Sequence, residues 1–216
     1  MIVLFDIDGT LIDPRGAGRR SLNACFEALY GVAGAADDVF AAGQTDAFLF
    51  PTIAAGIGVA WDPDRVYPQY LKILAEELRR GPAAVLAGAP ELCAALATRT
   101  DVALGLQTGN IRAAAEMKLD LFGLRPHFAF GGFGEDGPDR GDLVRRAIAR
   151  AGRPGVPAVV IGDAPNDIAA AKAAGARAVA VATGWYPRAE LEALEPDAIL
   201  PDLGDTEACL RALGVA

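Results

Sequence analysis

Met1-Ile2-Val3-Leu4-Phe5-Asp6-Ile7-Asp8-Gly9-Thr10-Leu11 is the stretch on which the reading of this chain turns. Five apolar residues in a row read as a short buried strand. Two carboxylates follow it, two residues apart, where Gly9 lets the chain turn away. In an open α/β sheet the carboxyl edge of the strands is where ligands bind. The strand period of two would point Asp6 and Asp8 to one face, although the turn can re-aim the second. Two acids so close repel each other in a low-dielectric site, and a divalent cation relieves the conflict. Hard oxygen ligands favour magnesium. A carboxylate held beside such a cation can also act as a nucleophile, forming an acyl-phosphate that is later hydrolysed. A solvated turn is the plain alternative, so the downstream partners decide.

Those partners exist. Ala158-Val159-Val160-Ile161 is another apolar strand, followed by Gly162-Asp163-Ala164-Pro165-Asn166-Asp167 and an alanine-rich helix from Ile168 to Ala174. Asp163 stands at a strand end, as Asp6 does, and can complete a magnesium site. Asp167, four residues on, can orient a bound water or a neighbouring cation. Both acids could equally serve as cap and first-turn residues of the helix. Between the two acidic motifs lies a third strand, Val102 to Leu106, ending in Gln107-Thr108-Gly109-Asn110 before a helical stretch from Ile111 to Leu121. A hydroxyl and free backbone N–H groups at a helix N-terminus form an anion site, unless Thr108 or Asn110 is simply an N-cap.

With these three segments in this order, the chain resembles the haloacid dehalogenase-like superfamily, and within it the phosphoglycolate phosphatase-like phosphohydrolases. The resemblance spans nearly the whole chain. It implies a Rossmann-like α/β core, a doubly wound parallel sheet, with a small all-helical cap domain. It implies that Asp6 is the phosphorylated nucleophile and a Mg²⁺ ligand. Asp8 would offer its carbonyl to the metal and act as general acid, then base. Thr108, with the Gly109 and Asn110 backbone, would hold the phosphoryl oxygens; Asp163, with Asp167, would complete the metal site. The family also needs a basic side chain against the nucleophile, usually a Lys in a Lys-Pro run before the last motif, and no such run occurs. Arg140, at the start of a helix capped by Asp139, is one substitute. Lys118, on the helix after Thr108, is the other and is preferred, because a compact ammonium fits between a carboxylate and a phosphoryl group better than a planar fork.

Composition agrees. A chain of 216 residues with 52% hydrophobic content can hold one core plus a small accessory domain. No stretch reaches membrane-span length without charge or glycine. The first apolar run lacks a basic flank and leads straight into the acids, unlike a signal peptide. Cys25, Cys93 and Cys209 are isolated and read as reduced core thiols in a cytoplasm. The net charge of −8 argues against nucleic acid, which needs a basic stripe. An acidic protein acting on an anion must build its positive pocket locally, from metal, one cation and helix N-termini.

Organisation follows from periodicity. Residues 1–14 and 82–216 read as the catalytic core, and residues 15–81 as a helical cap inserted between the first two motifs. Leu22, Cys25, Phe26 and Leu29 form one apolar stripe of the insert, and Tyr67, Tyr70, Leu71, Leu74 and Leu78 another. The family's cap of this kind has four helices and closes over the catalytic edge. Within it Gly43-Gln44-Thr45-Asp46 is polar and glycine-led, so Gln44, Thr45 and Asp46 are candidates to contact the leaving group; a plain N-cap at Thr45 or Asp46 competes. Gly131 to Gly141 reads as a glycine-rich loop. Trp185 and Tyr186, after a strand at Val179 to Ala182, could pack on the cap or lie on the surface.

The expectation is therefore a Mg²⁺-dependent phosphatase of a small phosphorylated metabolite, phosphoglycolate-like or a sugar phosphate. A phosphomutase of the same fold or a noncatalytic ligand-binding protein are the alternatives, and oligomeric state is left open.

Overall fold

In the computed structural model, which describes residues 1–39 and 42–215, six parallel strands form one sheet in the order β5-β4-β1-β6-β7-β8. The strands are β1 (Ile2–Phe5), β4 (Ala103–Gln107), β5 (Phe130–Gly132), β6 (Ala158–Gly162), β7 (Arg177–Val181) and β8 (Ala198–Leu200). Beside them a separate antiparallel pair joins β2 (Ile12–Asp13) to β3 (Ala84–Val85). Helices in chain order are α1 (Ala17–Tyr30), α2 (Asp46–Gly56), α3 (Pro63–Arg80), α4 (Ala89–Ala97), α5 (Arg112–Asp120), α6 (Arg140–Arg150), α7 (Pro165–Ala173), α8 (Arg188–Glu192) and α9 (Thr206–Leu213).

β1 shows why the sheet is covered on both faces. Its four residues are all buried and alternate sides. Val3 and Phe5 join a core with Leu92 and Leu96 of α4, Leu119 of α5 and Cys209 and Leu213 of α9. Ile2 and Leu4 join the opposite one, with Val144 and Ala147 of α6, Ile168 and Ala171 of α7 and Leu191 of α8. The chain builds outward from β1 through β4 to β5, then returns to add β6, β7 and β8 on the other side. The connectivity reverses at β1, and the crevice at such a switch point is where open α/β sheets bind ligands.

Residues 15–81 form a third apolar cluster. Leu22, Cys25 and Phe26 of α1, Phe50 and Ile53 of α2, and Val66, Tyr70, Leu74 and Leu78 of α3 are buried together. Phe50 is its centre, with ring centroids of Tyr70, Tyr67, Trp61 and Phe26 at 4.9, 5.1, 5.7 and 6.4 Å. Ile111 and Ala114 of α5 belong to the same cluster, so the insert rests on the helix that follows Thr108. Among the described residues the insert has three helices, not four; Phe40 and Ala41 lie outside them. The stretch after Gly31 runs in turns, held by the Arg19 guanidinium on the carbonyls of Ala36, Asp37 and Val39.

Three strand assignments differ from the sequence reading. β5 occupies Phe130–Gly132, where the glycines suggested only a loop. β2 and β3 have two residues each, too few for any periodicity to show. No helix among the described residues is long and apolar enough to cross a membrane. The three cysteines are buried and free, and burial pushes their thiols up, to about 11, 12 and 11 for Cys25, Cys93 and Cys209.

Candidate active site

Asp6 extends the pairing of β1 by one residue, its N–H donating to the Ile161 carbonyl at 2.9 Å, so the side chain stands at the carboxyl edge between β4 and β6. The chain then folds tightly: the N–H groups of Leu11 and Ile12 both donate to the Ile7 carbonyl, and Gly9 N–H donates to the Ile12 carbonyl. Gly9 has φ 83°, which disfavours any side chain, and a Cβ there would lie 2.4 Å from Asp163 Oδ2. The turn therefore presses against Asp163, whose Oδ1 accepts the Thr10 hydroxyl at 3.0 Å.

Asp163 follows β6, and Asp167 sits on the first turn of α7. Carboxylate oxygens of Asp6, Asp163 and Asp167 lie within 4.8 Å of one another, all three buried. Burial raises the Asp6 pKa to about 7, with the Arg140 charge opposing and Asp167 and Asp8 adding to the rise. Burial also holds Asp163 well above the carboxylate range, reinforced by Asp6 and Asp167. Crowded acids with raised pKa values and hard oxygen donors suit a divalent cation such as Mg²⁺. Asp167 is the least available of the three. Its Oδ2 accepts the Ala164 N–H at 3.0 Å, and its Oδ1 accepts Gln107 Nε2 at 2.7 Å.

The cation on Asp6 is Arg140. Asp139 caps α6 by accepting from Gly141 and Asp142, which sets Arg140 at the binding edge. Its Nη2 lies 2.9 Å from Asp6 Oδ1 and 2.6 Å from Asp167 Oδ1. These are ion-pair contacts in which no N–H points squarely at an acceptor. Nε donates to Gln107 Oε1 at 3.3 Å, and Nη1 to the Gly43 carbonyl at 3.1 Å. The preference for Lys118 at this place is thereby reversed: a fork can reach two carboxylates, an amide and a carbonyl together, which an ammonium cannot.

Lys118 is buried too, but it serves the other acid. Its Nζ lies 2.5 Å from Asp8 Oδ2 and 2.7 Å from Asn110 Oδ1. Asn110 Nδ2 donates to Asp8 Oδ2 and to Thr108 Oγ1, both at 2.8 Å. Asp8 Oδ2 is thus gripped from two sides, whereas its Oδ1 is buried with no hydrogen-bond partner among the described residues. The carboxylate of Asp8 does not belong to the Asp6–Asp163–Asp167 cluster.

Neither Thr108 nor Asn110 caps α5 through its side chain. The Ile111 N–H is accepted by Asp46 Oδ2 at 2.7 Å, and the Arg112 N–H by Glu135 Oε2 at 2.8 Å. These two amides of the expected anion site are therefore occupied by carboxylates of the protein. Thr45 is buried, its hydroxyl donating to the Pro138 carbonyl at 3.2 Å, and Gln44 is half-buried beside it. Thr45 precedes α2 without making a side-chain cap bond. Trp185 is 86% exposed, so it does not pack on the insert. Gln107, which bridges Asp167 and Arg140, was not singled out from sequence; its signal is a polar side chain closing an otherwise apolar strand. Asn166, a donor to the Gly43 carbonyl at 2.7 Å, had no such signal.

A family model described as haloacid dehalogenase-like hydrolase matches residues 3–181. Among solved structures, CbbY from Rhodobacter sphaeroides in complex with phosphate is 25% identical, with 99% of this chain and 98% of that chain covered and a TM-score of 0.72. A mutant of the same protein in complex with xylulose-1,5-bisphosphate gives 25% identity, 94% and 95% coverage and a TM-score of 0.70. A haloacid dehalogenase-like family hydrolase from Streptococcus pneumoniae is 20% identical, covering 97% of both chains with a TM-score of 0.67. No curated protein matches the sequence.

Proposed function

The chain belongs to the haloacid dehalogenase-like hydrolases, and within that family we propose that it is a Mg²⁺-dependent phosphatase of a small phosphorylated metabolite. The observation that carries this reading is the unequal partnering of two acids two residues apart. Asp6 lies against Arg140, beside Asp163, and Asp8 is clamped by Lys118 and Asn110 with one buried oxygen left over. The phosphate and sugar-bisphosphate complexes of the 25%-identical CbbY support a phosphorylated substrate.

Asp6 is the nucleophile. A carboxylate oxygen of Asp6 bonds to phosphorus in line as the phosphorus–oxygen bond to the leaving group breaks. Asp8 gives the leaving oxygen a proton. The resulting aspartyl-phosphate is opened by water, from which Asp8 takes a proton, releasing phosphate and restoring Asp6. Arg140 neutralises Asp6 and the incoming phosphoryl charge, and it also orients Asp167. Thr108 and the Gly109 amide contribute donors to the phosphoryl oxygens. Lys118 and Asn110 fix the rotamer of Asp8. Asp6 and Asp163, with the Asp8 carbonyl, would hold Mg²⁺, and Asp167 would steady Arg140 from outside. When bound, the ion supplies charge neutralisation to the nucleophile and phosphoryl group. Residues 15–81 act as the cap over residues 1–14 and 82–216, and a reducing cytoplasm suits the three buried thiols.

The test is release of inorganic phosphate from p-nitrophenyl phosphate and from a panel of phosphorylated metabolites, with Mg²⁺ and with EDTA. Metal-dependent release from at least one compound is expected. Isomerised sugar phosphate without free phosphate would instead identify a phosphomutase, and no turnover of any kind would leave a noncatalytic binding protein.

A further inference from the structure

We infer that Asp46, which lies on the insert and touches neither Asp6 nor Asp8, is a positioning residue for this reaction. Its carboxylate holds the N-terminus of α5, and through α5 it holds Asn110 and Lys118 against Asp8. The inference rests on the phosphatase reading above.

The segment from Gly43 to Asp46 is a strap bound at each end to loops that carry site residues. At one end the Gly43 carbonyl accepts from Arg140 Nη1 and from Asn166 Nδ2. At the other, the Asp46 N–H donates to the Gly109 carbonyl at 2.7 Å, and Asp46 Oδ2 accepts the Ile111 N–H at the same distance. Between them Thr45 donates to the Pro138 carbonyl. The strap lies so close that a Cβ at Gly109 would sit 2.0 Å from the Gln44 carbonyl oxygen. Asp46 is 6% exposed, and its pKa is raised to about 7 by burial, against the pull of the Ile111 N–H and of Lys118.

Each of these bonds fixes something the chemistry needs. Ile111 immediately follows Asn110, which donates to Asp8; Lys118 lies two turns along the same helix and pairs with the same oxygen. α5 is nine residues long and has no side-chain cap of its own. Its first amides depend on Asp46 from the insert and Glu135 from the core. With Asp46 removed, Glu135 remains, so α5 tilts instead of unravelling, and the two groups gripping Asp8 shift with it. A small misplacement of a catalytic group costs rate far more than substrate affinity.

The experiment compares wild type, Asp46→Ala and Asp46→Asn in steady-state hydrolysis of p-nitrophenyl phosphate with Mg²⁺, alongside amide hydrogen exchange. Asp46→Ala should lower kcat by about 10- to 100-fold with KM changed by less than about threefold. Asp46→Asn, which keeps an acceptor for Ile111, should stay within about threefold of wild type. Exchange at Ile111 should be slow in wild type and Asp46→Asn and fast in Asp46→Ala, with α3 unaffected. Wild-type kcat in Asp46→Ala, or a loss shared equally by Asp46→Asn, overturns the inference and leaves the phosphatase reading standing. Fast exchange of Ile111 in wild type overturns it even where Asp46→Ala fails to fold. Absence of turnover by wild type overturns the underlying reading, and this inference with it.

Discussion

Asp6 and Asp8 are separated by one residue yet meet opposite surroundings, and their variants should fail differently. Asp6→Asn removes the proposed nucleophile and should abolish metal-dependent turnover, with no phosphoprotein detected by mass spectrometry after acid quench. Asp8→Asn keeps the proposed nucleophile and loses the proposed proton carrier. With p-nitrophenyl phosphate, whose leaving group departs without protonation, the first step should survive while hydrolysis of the acyl-phosphate stalls. A burst of p-nitrophenolate and a trapped adduct 80 mass units heavier (about the mass of a phosphoryl group) is the expected result; continuous turnover at the wild-type rate would exclude Asp8 as the base. The two cations separate in the same way. Arg140→Met strands two buried carboxylates and should cost about 3–5 kcal/mol in urea unfolding of the metal-free protein. Lys118→Met should cost less stability, because Asp8 is one-third exposed (33%) and can be hydrated, while still lowering kcat.

The elements show what the sequence reveals and what it hides. β1, β4 and β6 announce themselves as apolar runs ending in polar residues, and their ends do carry the candidate site. Strand alternation places Asp6 and Asp163, but it says nothing of which cation reaches them. That depends on where α6 begins in space: the sequence argument prefers Lys118, whereas α6 brings Arg140 to Asp6 and α5 brings Lys118 to Asp8. α5 illustrates the same limit: an N-cap is expected from a neighbour in sequence, whereas Asp46 lies 65 residues away. β2, β3 and β5 are too short or too glycine-rich for pattern to register. Of the insert's helices α1 and α3 are legible as apolar stripes, which meet in one cluster around Phe50, whereas α2, apolar on most sides, offers no stripe. Phe50→Ala should destabilise the protein by about 3–5 kcal/mol, measured by thermal or urea unfolding. Its loss should fall on α1–α3 in hydrogen exchange and spare the six-stranded sheet.

For the molecule as a whole, an excess of eight negative charges confronts an anionic substrate, so attraction must be local. The acids that create this problem also make the metal-free protein sensitive to pH. Asp6 and Asp46 titrate at about 7 in the folded chain, against a usual value of 3.8. Between those values the folded state binds more protons than the unfolded one, so stability is greatest below about pH 4 on their account and declines as pH rises through 7. The melting temperature in EDTA should therefore fall between pH 5 and pH 8. Mg²⁺ should raise it more at pH 8, where Asp6 is free of its proton; equal stabilisation at both values would remove Asp6 from the metal site.

β2 and β3 carry one further consequence. The polypeptide departs for the insert at Asp13 and comes back at Ala84, and those two residues are register partners in an antiparallel ribbon. Departure and return share one doorway, so joining Asp13 to Ala84 through a two-residue turn would close an ordinary hairpin without moving any strand of the main sheet. Such a shortened chain would be a floor without a roof, its Ile111 and Ala114 laid bare to water. The insert is therefore a replaceable storey, and the clustered acids beneath could be refitted with another by splicing at a single joint.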